Sequence, residues 1–554
     1  MKKHLCYIVF LFFMVASCGT SKSMRHQPNI ANYNSTIPIV EKKSNTAFYT
    51  GHNFLLKNKQ KLWELYVEGD PLERGLAIGS LTDSLLKKQE YVFFEKVNDL
   101  VPSNFKKRVM VDFLNWYNRK LFLNVENEFQ AEIYGLSQYS PQDLNYIAPS
   151  FLRDLYLHGA HDIGHAVQDL ALVGCSSFAA WGDKTEDGNL ILGRNFDFYV
   201  GDAFAKDKIV AFVNPKDGYP FMMLTWPGMI GVCSGMNVEG LTVTINAGKS
   251  KIPLIAKTPI SILTREIVQY AKTIDEAIAI AKKKKVFVSE SIMVGSAKDN
   301  RAVLIEITPD NLGVFEVSNG TQLVSTNHFQ SDALKGNERN KKQIKNSHSQ
   351  YRFDRMNQLL DQSSKITPQI AVDILRNKEG LNNIPLGYGN DKALNHLLAH
   401  HGIVFQPAKQ LVWVSSSPYQ LGEFVCYDLS AIFKNSNANG NLVSIEDEFK
   451  NIAADPFLET VEYKNYEQFR VEDKKMDFFL ENKKELSPDY INYYQSLNPD
   501  YWVVYYKVGL YFYQNKKYTL AKEQFEKTLT KEISTLPERE KISHYIKKIK
   551  TKRL

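Results

Sequence analysis

The spacing of apolar residues divides the chain into a helical first part and a second part of short strands. From Phe54 to about Leu170, apolar residues recur at helical intervals, as in the stripe through Leu81 and Leu85, and strand signals are few. From Lys208 onward, short apolar runs are separated by connections that carry proline and glycine. Consecutive short strands of this kind pair antiparallel, so the second part is predicted to be antiparallel sheet.

Helices are predicted to interrupt the strand-rich part. Residues 260–283 have helical apolar spacing and lysines at their C-terminal end, where the helix dipole favours cations. Thr367 and Pro368 are the residue types of an N-cap and a first helical position for a helix that runs to Arg376. This grouping of strands and helices fits an α+β fold in which two sheets lie between helices.

Between the two parts lies a predicted hairpin that begins at a cysteine. Apolar runs at 177–181 and 189–198 flank a segment of turn-forming residues, and Cys175 directly precedes the first run. In a regular second strand, Asn195 and Asp197 share one face and Arg194 takes the other, whereas a bend or bulge would bring Arg194 to the same side. A single cysteine in an apolar run is usually a buried small hydrophobe.

A cysteine at a chain's N-terminus would have a different role, because it carries its own base. Its α-amine has a pKa of roughly 7.7–8.0, which suits proton transfer near neutrality. Self-cleavage of the bond between Gly174 and Cys175 would create such a residue, and glycine has no side chain to obstruct the turn at that bond. Asp197 could then orient the amine, and Arg194 could hold the thiolate form.

The residues of this hairpin resemble a known family. Gly-Cys-Ser-Ser-Phe-Ala at 174–179 and Gly-Arg-Asn-Phe-Asp at 193–197 are similar to the isopenicillin N acyltransferase (acyl-coenzyme A:6-aminopenicillanic acid acyltransferase) family. That family is related to choloylglycine hydrolases and acid ceramidase, and all are N-terminal nucleophile hydrolases. The similarity continues at 236–246, 325–329 and 349–355 and covers roughly residues 69–429.

The resemblance implies a four-layer αββα fold, a catalytic site and no cofactor. Cys175 would be the nucleophile flanked by Arg194 and Asp197, Asn246 and Asn327 would serve the oxyanion and the amine, and Arg352 would complete the cluster. The interval from Gly240 to Asn246 is one residue shorter than in bile salt hydrolases, so Asn237 is the alternative to Asn246.

The implied reaction is attack of the Cys175 thiolate on a linear amide (N-acyl) bond, through an acyl-enzyme. Water or a second amine then takes the acyl group, and the sequence does not decide between hydrolase and acyltransferase. Aromatic residues including Phe198 and Trp226 could line an apolar pocket for the acyl group of a small-molecule substrate, although core packing explains them equally well.

Composition excludes little beyond disorder and nucleic-acid binding. The 554 residues are 44% hydrophobic and 23% charged, as in a globular chain of two or three domains. The net charge of +7 is small for this length and is helped by a basic tail at 547–553, so nucleic acid is not implied. Three cysteines outside the leader do not indicate a disulfide framework, although a Cys233–Cys426 pair stays open.

The first residues are typical of a bacterial lipoprotein leader. Two lysines precede an apolar run too short to span a bilayer, and small residues precede Cys18. Lipidation of Cys18 would make it the first mature residue and would anchor the exported protein to a bacterial membrane, on its periplasmic or surface face. The alternative is an ordinary secretory signal.

The last hundred residues are predicted to be helical. Residues 505–528 have the apolar positions of one tetratricopeptide helix pair, with its turn at 515–517. A lone unit lacks neighbours that bury its face, so packing on the enzyme domain or on flanking helices is favoured over binding of a protein partner.

The predicted organisation is a signal peptide at 1–17, a tether at 18–50, a helical propeptide segment at 51–174 that stays bound as a separate subunit, an N-terminal nucleophile hydrolase domain at 175–433, a linker at 434–449 and a helical, tetratricopeptide-like domain at 450–554.

Two rival functions stay open. In one, the nucleophile site is silent and the chain is a lipoprotein scaffold that recruits partners through its C-terminal unit. In the other, His158, His161 and His165 hold a metal on one helical face, although glycines at 159 and 164 weaken that helix and no acidic partner has zincin spacing. His396, near His400 and His401, has the same two interpretations, metal ligand or polar surface residue.

Overall fold

The computed structural model describes residues 20–101, 103–159, 174–198, 201–249, 251, 253, 255–434 and 444–552. The predicted signal peptide and Cys18 lie outside these residues, as do His161, His165 and most of the predicted linker. Among the helices in the described ranges, none has both the length and the apolar character needed to cross a membrane.

Two sheets form the centre of the molecule. The strands in the described residues are β1 (Glu41–Ser44), β2 (Ala47–Thr50), β3 (Asn53–Lys57), β4 (Trp63–Gly69), β5 (Ser176–Ala180), β6 (Ile191–Phe196), β7 (Ile209–Pro215), β8 (Phe221–Thr225), β9 (Ser234–Asn237), β10 (Leu241–Ala247), β11 (Glu290–Ser296), β12 (Arg301–Ile307), β13 (Leu312–Phe315), β14 (Gln322–Ser325), β15 (His401–Gln406), β16 (Leu411–Ser415) and β17 (Phe424–Asp428). One sheet has eleven strands in the order β1-β2-β3-β4-β7-β8-β9-β10-β11-β12-β13, and the other has six in the order β14-β5-β6-β15-β16-β17. Neighbouring strands are antiparallel, as predicted, apart from the parallel pair of β4 and β7.

Helices cover the outer faces of both sheets. From residue 71 onward, the α-helices in the described part of the chain are α1 (Pro71–Leu100), α2 (Asn104–Asn118), α3 (Asn127–Ser137), α4 (Ser150–His158), α5 (Asp202–Ala205), α6 (Ile260–Tyr270), α7 (Ile274–Lys283), α8 (Glu338–Asn346), α9 (Ser349–Gln362), α10 (Pro368–Leu375), α11 (Leu429–Lys434), α12 (Val461–Glu481), α13 (Pro488–Leu497), α14 (Trp502–Gln514), α15 (Tyr518–Leu529) and α16 (Leu536–Lys552). The predicted helix at 260–283 is two helices, α6 and α7, and Thr367 caps α10 as predicted.

Three apolar cores define four layers. One core lies between the two sheets and contains Met222 and Leu192. A second joins the eleven-stranded sheet to the helices that include α1, α3, α4, α6 and α7, and a third joins the six-stranded sheet to α9 and α10. Each sheet buries both faces, so the order is helix, sheet, sheet, helix, and the predicted four-layer α+β fold is confirmed.

The structure corrects the secondary structure expected before residue 70. Strands β1 and β2 fall within the predicted tether at 18–50, and β3 and β4 fall within the predicted helical segment at 51–174. In β4, Trp63 and Leu65 pack against the helix layer while Tyr66 packs between the sheets. Because both faces of β4 are buried, its sequence lacks the alternation that would mark a strand.

The segment before Gly174 is joined to the later chain by strand pairing and by buried ion pairs. Strand β4 pairs along its whole length with β7. Glu132 of α3 accepts hydrogen bonds from Arg74 of α1 at 2.6 Å and from Arg265 of α6 at 3.1 Å, and all three side chains are buried. Burial alone would raise the pKa of Glu132, but the two guanidiniums hold it below its usual range. These contacts do not depend on the bond between Gly174 and Cys175.

The C-terminal helices pack on the four-layer body. Helices α14 and α15 form the predicted helix pair, with the turn at 515–517 between them. Leu397 and Leu421 of the body share one apolar core with Tyr466 and Tyr494 of the C-terminal helices. The predicted packing on the body is therefore present, whereas the domain boundaries stay predictions.

Candidate active site

The hairpin fixes the place of Cys175. Strand β5 begins at Ser176, which pairs with Asn195 of β6, while β14 pairs on the other side of β5. Cys175 therefore stands at the end of an interior strand of the six-stranded sheet, with 1% of its surface exposed. The predicted hairpin is confirmed.

The thiol of Cys175 faces a buried cation. Its Sγ atom lies 3.8 Å from Arg194 Nη2. Burial raises the pKa of Cys175 to about 11, although the charge of Arg194 works in the opposite direction. In the uncleaved chain the thiol is therefore protonated at neutral pH.

Arg194 lies between the two sheets. Its Nη1 donates to Cys233 O at 2.9 Å and to Ser234 Oγ at 2.5 Å, and its Nη2 donates to Ile245 O. Asn195 points the other way and donates to Leu375 O at 2.8 Å. Strand β6 ends at Phe196, so Asp197 is released from the strand alternation that separates Arg194 from Asn195.

The backbone carbonyl of Cys175 is held by a second arginine. Arg352, on α9, donates from Nη1 to Cys175 O at 3.0 Å and from Nη2 to Asn327 Oδ1 at 2.7 Å. Its Nε also donates to His348 Nδ1 at 3.1 Å, and Asn327 Nδ2 donates to Ala247 O at 3.1 Å. Arg352 and Asn327 thus form one buried network with Cys175.

Asn246 is close to this network but is engaged elsewhere. Its Nδ2 donates to the backbone and hydroxyl oxygens of Ser325, at 3.1 and 3.2 Å, and its Oδ1 accepts from Ser177 at 3.2 Å. The alternative, Asn237, closes the turn between β9 and β10 and donates to Val268 O and Ala271 O. The structure thus does not bring Asn237 to the thiol, and an oxyanion role for Asn246 stays a prediction.

The residue that contacts Asp197 is not among the predicted site residues. His396 Nε2 forms an ion pair with Asp197 Oδ2 at 2.9 Å, and its Nδ1 lies 3.7 Å from Asp391 Oδ1. Burial disfavours the protonated ring, but the two carboxylates outweigh it and raise the pKa of His396 to about 9. A side chain at Gly174 would meet His396 Nε2 at 3.2 Å and Asp197 Oδ2 at 3.3 Å. The close packing of Gly174 thus gives a second reason for glycine at this position.

His158, His400 and His401 are engaged in hydrogen bonds. His401 Nε2 lies 2.9 Å from Ser234 Oγ, and its Nδ1 lies 2.8 Å from Nδ1 of His400. His158 contacts Asp154 O through Nδ1 and accepts from Ile230 N–H through Nε2. Within the described ranges, no group of three histidine, cysteine or acidic residues is placed to hold a metal ion. Cys233 and Cys426 lie in different cores and form no disulfide.

Phe198 and Trp226 line a pocket beside the site. Their rings stack with centroids 5.9 Å apart, and Phe198 also stacks on Phe196, whose ring lies 4.3 Å below the Arg194 guanidinium. Further apolar lining comes from α1, α4, α5 and the segment before β9, namely Leu86, Phe93, Leu157, Phe204 and Met229. Glu90 and Asp154 add polar groups, and burial raises the pKa of both.

Residues 184–417 match the family model described as acyl-coenzyme A:6-aminopenicillanic acid acyl-transferase. The matched segment includes five of the six predicted catalytic residues and begins after Cys175. The resemblance to this family is therefore confirmed over that segment.

Two curated proteins are also similar to this chain. An uncharacterized protein of Archaeoglobus fulgidus is 25% identical over 272 residues, which are 45% of this chain and 44% of that protein. Protein dcd1B of Dictyostelium discoideum is 25% identical over 155 residues, which are 27% of this chain and 31% of that protein. The chain thus spans less than half the length of either relative.

Two solved structures resemble part of the chain. A Caenorhabditis elegans ortholog of N-acylethanolamine-hydrolyzing acid amidase has 20% identity and a TM-score of 0.32, covering 42% of this chain and 93% of its own. A mutant of the conjugated bile acid hydrolase from Clostridium perfringens has 14% identity and a TM-score of 0.31, covering 44% and 89%. At these low TM-scores, the architecture rests on the sheets and helices of this chain alone.

Proposed function

We propose that this chain, which is similar to the acyl-coenzyme A:6-aminopenicillanic acid acyl-transferase family over residues 184–417, is a self-cleaving cysteine N-terminal nucleophile enzyme that acts on linear amide (N-acyl) bonds. The observation that carries the proposal is the setting of Cys175. Its thiol faces Arg194 and its carbonyl oxygen accepts from Arg352, directly before the hairpin.

Self-cleavage would use the thiol of Cys175 on the preceding peptide bond. The sulfur attacks the carbonyl carbon of Gly174, the C–N bond breaks as the nitrogen gains the thiol proton, and a thioester forms. Water then hydrolyses the thioester, which leaves a carboxylate on Gly174 and a thiol and a free α-amine on Cys175. Because burial keeps the thiol protonated, the reaction needs a nearby base. The carboxylate of Asp197, which packs against Gly174, is the candidate.

Catalysis on a substrate would then use the new α-amine as base. The thiolate attacks the amide carbonyl, the amine leaves with a proton from the α-amine, and water or a second amine takes the acyl group. Asn246 or a nearby backbone N–H would stabilise the oxyanion, a role typically worth about 10²- to 10³-fold in rate. In the uncleaved chain Asn246 donates to Ser325, so it would have to exchange these hydrogen bonds for that role.

The substrate class proposed is a small-molecule N-acyl amide. The stacked rings of Phe198 and Trp226 form an apolar wall that suits an acyl group, and both sides of the cleavage bond contribute to the pocket. Helices α1 and α4 would stay in place after cleavage through the β4–β7 pairing and the buried charges around Glu132. On sequence alone, lipidation of Cys18 is proposed to anchor the enzyme to a membrane.

The test is the covalent state of purified protein that lacks residues 1–17. Intact mass and N-terminal sequencing should find two chains, the second beginning at Cys175, and a single uncut chain for Cys175→Ala. Cys426→Ala removes another buried thiol, far from the site, and should cleave like the wild type. An uncut wild-type chain would contradict the proposal. Cut protein should release amine from N-acyl amides, with a preference among acyl lengths that Trp226→Ala alters.

A further inference from the structure

The segment of residues 386–400 connects the candidate site to the C-terminal helices. It has no helix or strand along its fully described length and carries both Asp391 and His396. The helices hold its backbone directly, because Asn498 accepts from Tyr388 N–H at 3.1 Å and donates to Tyr388 O at 2.8 Å. Such reciprocal bonding fixes a peptide that belongs to no regular element.

Further contacts continue along the same segment. Asn390 Nδ2 donates to Glu532 O at 2.8 Å, and Lys392 forms an ion pair with the Glu532 carboxylate at 2.7 Å. Nearer to the histidine, Leu397 is fully buried in the core shared with the C-terminal helices, where Tyr466 donates to its carbonyl. Backbone and side chains on both sides of His396 are therefore held from the C-terminal region.

We propose that His396 is a positioning residue for Asp197 in self-cleavage, and that the C-terminal helices keep it there by holding the segment 386–400. The inference rests on the proposed function, since it assigns His396 and the helices a part in that same cleavage. The Asp197 carboxylate is buried, and a buried carboxylate is costly without a partner. His396 at 2.9 Å supplies the partner and orients the carboxylate against Gly174.

The charges around His396 decide how this pair responds to pH. Asp197 faces it from the end of the hairpin, Asp391 from its own segment, and His348 from the N-cap of α9. Arg352 of α9 acts on the two carboxylates, Asp197 and Asp391. With a pKa of about 9, His396 is protonated at neutral pH, and the ion pair is lost as the pH rises through that value. A variant that removes the charge should therefore be most harmful below this pH.

This role also accounts for the tetratricopeptide-like unit without an external partner. Asn498 and Glu532, which flank the unit at 505–528, bond to the segment 386–400, and Leu397 of that segment shares an apolar core with Tyr505 and Val508 of the unit. A unit used this way stabilises a loop of its own chain.

The decisive experiment follows self-cleavage of the full chain lacking residues 1–17 across about pH 6 to 10. His396→Gln should slow cleavage on the order of 10- to 100-fold near pH 7, a typical result of misplacing a reacting group, and the difference should shrink above about pH 9. Asn498→Ala combined with Glu532→Ala removes the side-chain bonds to Tyr388 and Lys392 and should slow cleavage by a similar factor near pH 7. This difference should also shrink above about pH 9, because the wild type then loses the same ion pair. The matched control, Asn482→Ala with Glu523→Ala, alters exposed positions of the same C-terminal region and should cleave like the wild type.

The outcomes separate the two proposals. If the wild type cuts and His396→Gln cuts equally fast at every pH, the inference is overturned while the proposed function stands. A wild type that does not cut overturns both. If His396→Gln does not fold, Asp391→Asn serves instead, because it removes one carboxylate that raises the pKa of His396. That variant should match the wild type near pH 6 and fall behind it between about pH 7 and 9, and a constant ratio would contradict the inference.

Discussion

The two regions that meet at Gly174 are built in opposite ways. The hairpin from 174 to 198 places Arg194 and Asn195 by strand pairing, so its geometry is set by backbone hydrogen bonds. The segment 386–400 has no such pairing along its described length and places His396 through contacts with distant helices. A hairpin of this kind is disturbed mainly by changes within it, whereas an irregular segment is also sensitive to changes far from the site.

The largest effect is expected on the hairpin side, from Arg194→Gln. The change removes the cation beside the thiol and the charged donor to the carbonyls of Cys233 and Ile245. Self-cleavage should slow by at least about 100-fold, as for loss of an electrostatic stabiliser. The unfolding free energy should fall by roughly 1.5–3 kcal/mol for each charged hydrogen bond that is removed. Cleavage time courses and thermal unfolding measure the two effects.

Arg301→Gln is the control for that variant. Arg301 is partly exposed and pairs with Glu316 at 2.9 Å, so its loss should leave cleavage unchanged and stability within about 1 kcal/mol. If Arg194→Gln cleaves as fast as the wild type, the thiol does not depend on this arginine. The claim that the hairpin sets the geometry of the site would then be contradicted.

The second prediction concerns the reactivity of the Cys175 thiol, which both regions bury in the uncut chain. In the uncut chain the pKa of Cys175 is about 11 instead of 9.0, so its thiolate fraction near pH 7.5 is on the order of 100-fold lower than that of an ordinary cysteine. In a partly processed sample, iodoacetamide should label the cut chain at Cys175 much faster than the uncut chain. The labelling of the uncut chain should rise with pH until about pH 11.

Mass spectrometry separates the two forms within one tube. Burial also raises the pKa of Cys426, so this thiol should label slowly in both the cut and the uncut chain and serves as the internal control. Equal labelling of Cys175 in the cut and uncut chains would contradict this prediction, because it would show that the thiol is already accessible and reactive before cleavage.

The sequence predicted the hairpin side of the comparison better than the other side. The hairpin is local, with turn formers between two apolar runs, and the site residues Arg194 and Asp197 follow Cys175 within one motif. The four layers could be expected only through resemblance, because strand counting does not reveal how sheets stack. Strand β4 was not predicted, because its partner β7 is distant in the chain and because both faces of β4 are buried.

His396 could not be predicted because nothing local marks its role. It lies among polar and apolar residues without helical or strand spacing, and its partner Asp197 is nearly two hundred positions away. The pair exists because the C-terminal helices fix the segment 386–400, and side-chain contacts between distant segments leave no periodic pattern in a sequence. For the same reason the hydrogen bonds of Asn246 to Ser325 could not be foreseen.

The smallest effect is expected where the two regions meet, from Gly174→Ala. The added methyl group would meet His396 Nε2 at 3.2 Å and Asp197 Oδ2 at 3.3 Å, so the ion pair has to shift by a few tenths of an ångström. Cleavage should slow by about 10-fold, as expected when a reacting group is slightly misplaced. Gly336→Ala, where a methyl group meets nothing within 4 Å, is the matched control.

Because His396 is one of the two groups that the methyl group at position 174 meets, combining Gly174→Ala with His396→Gln should slow cleavage less than the product of the single effects. Fully multiplicative effects would mean that the glycine and the histidine act independently, and that the two regions do not meet at this bond.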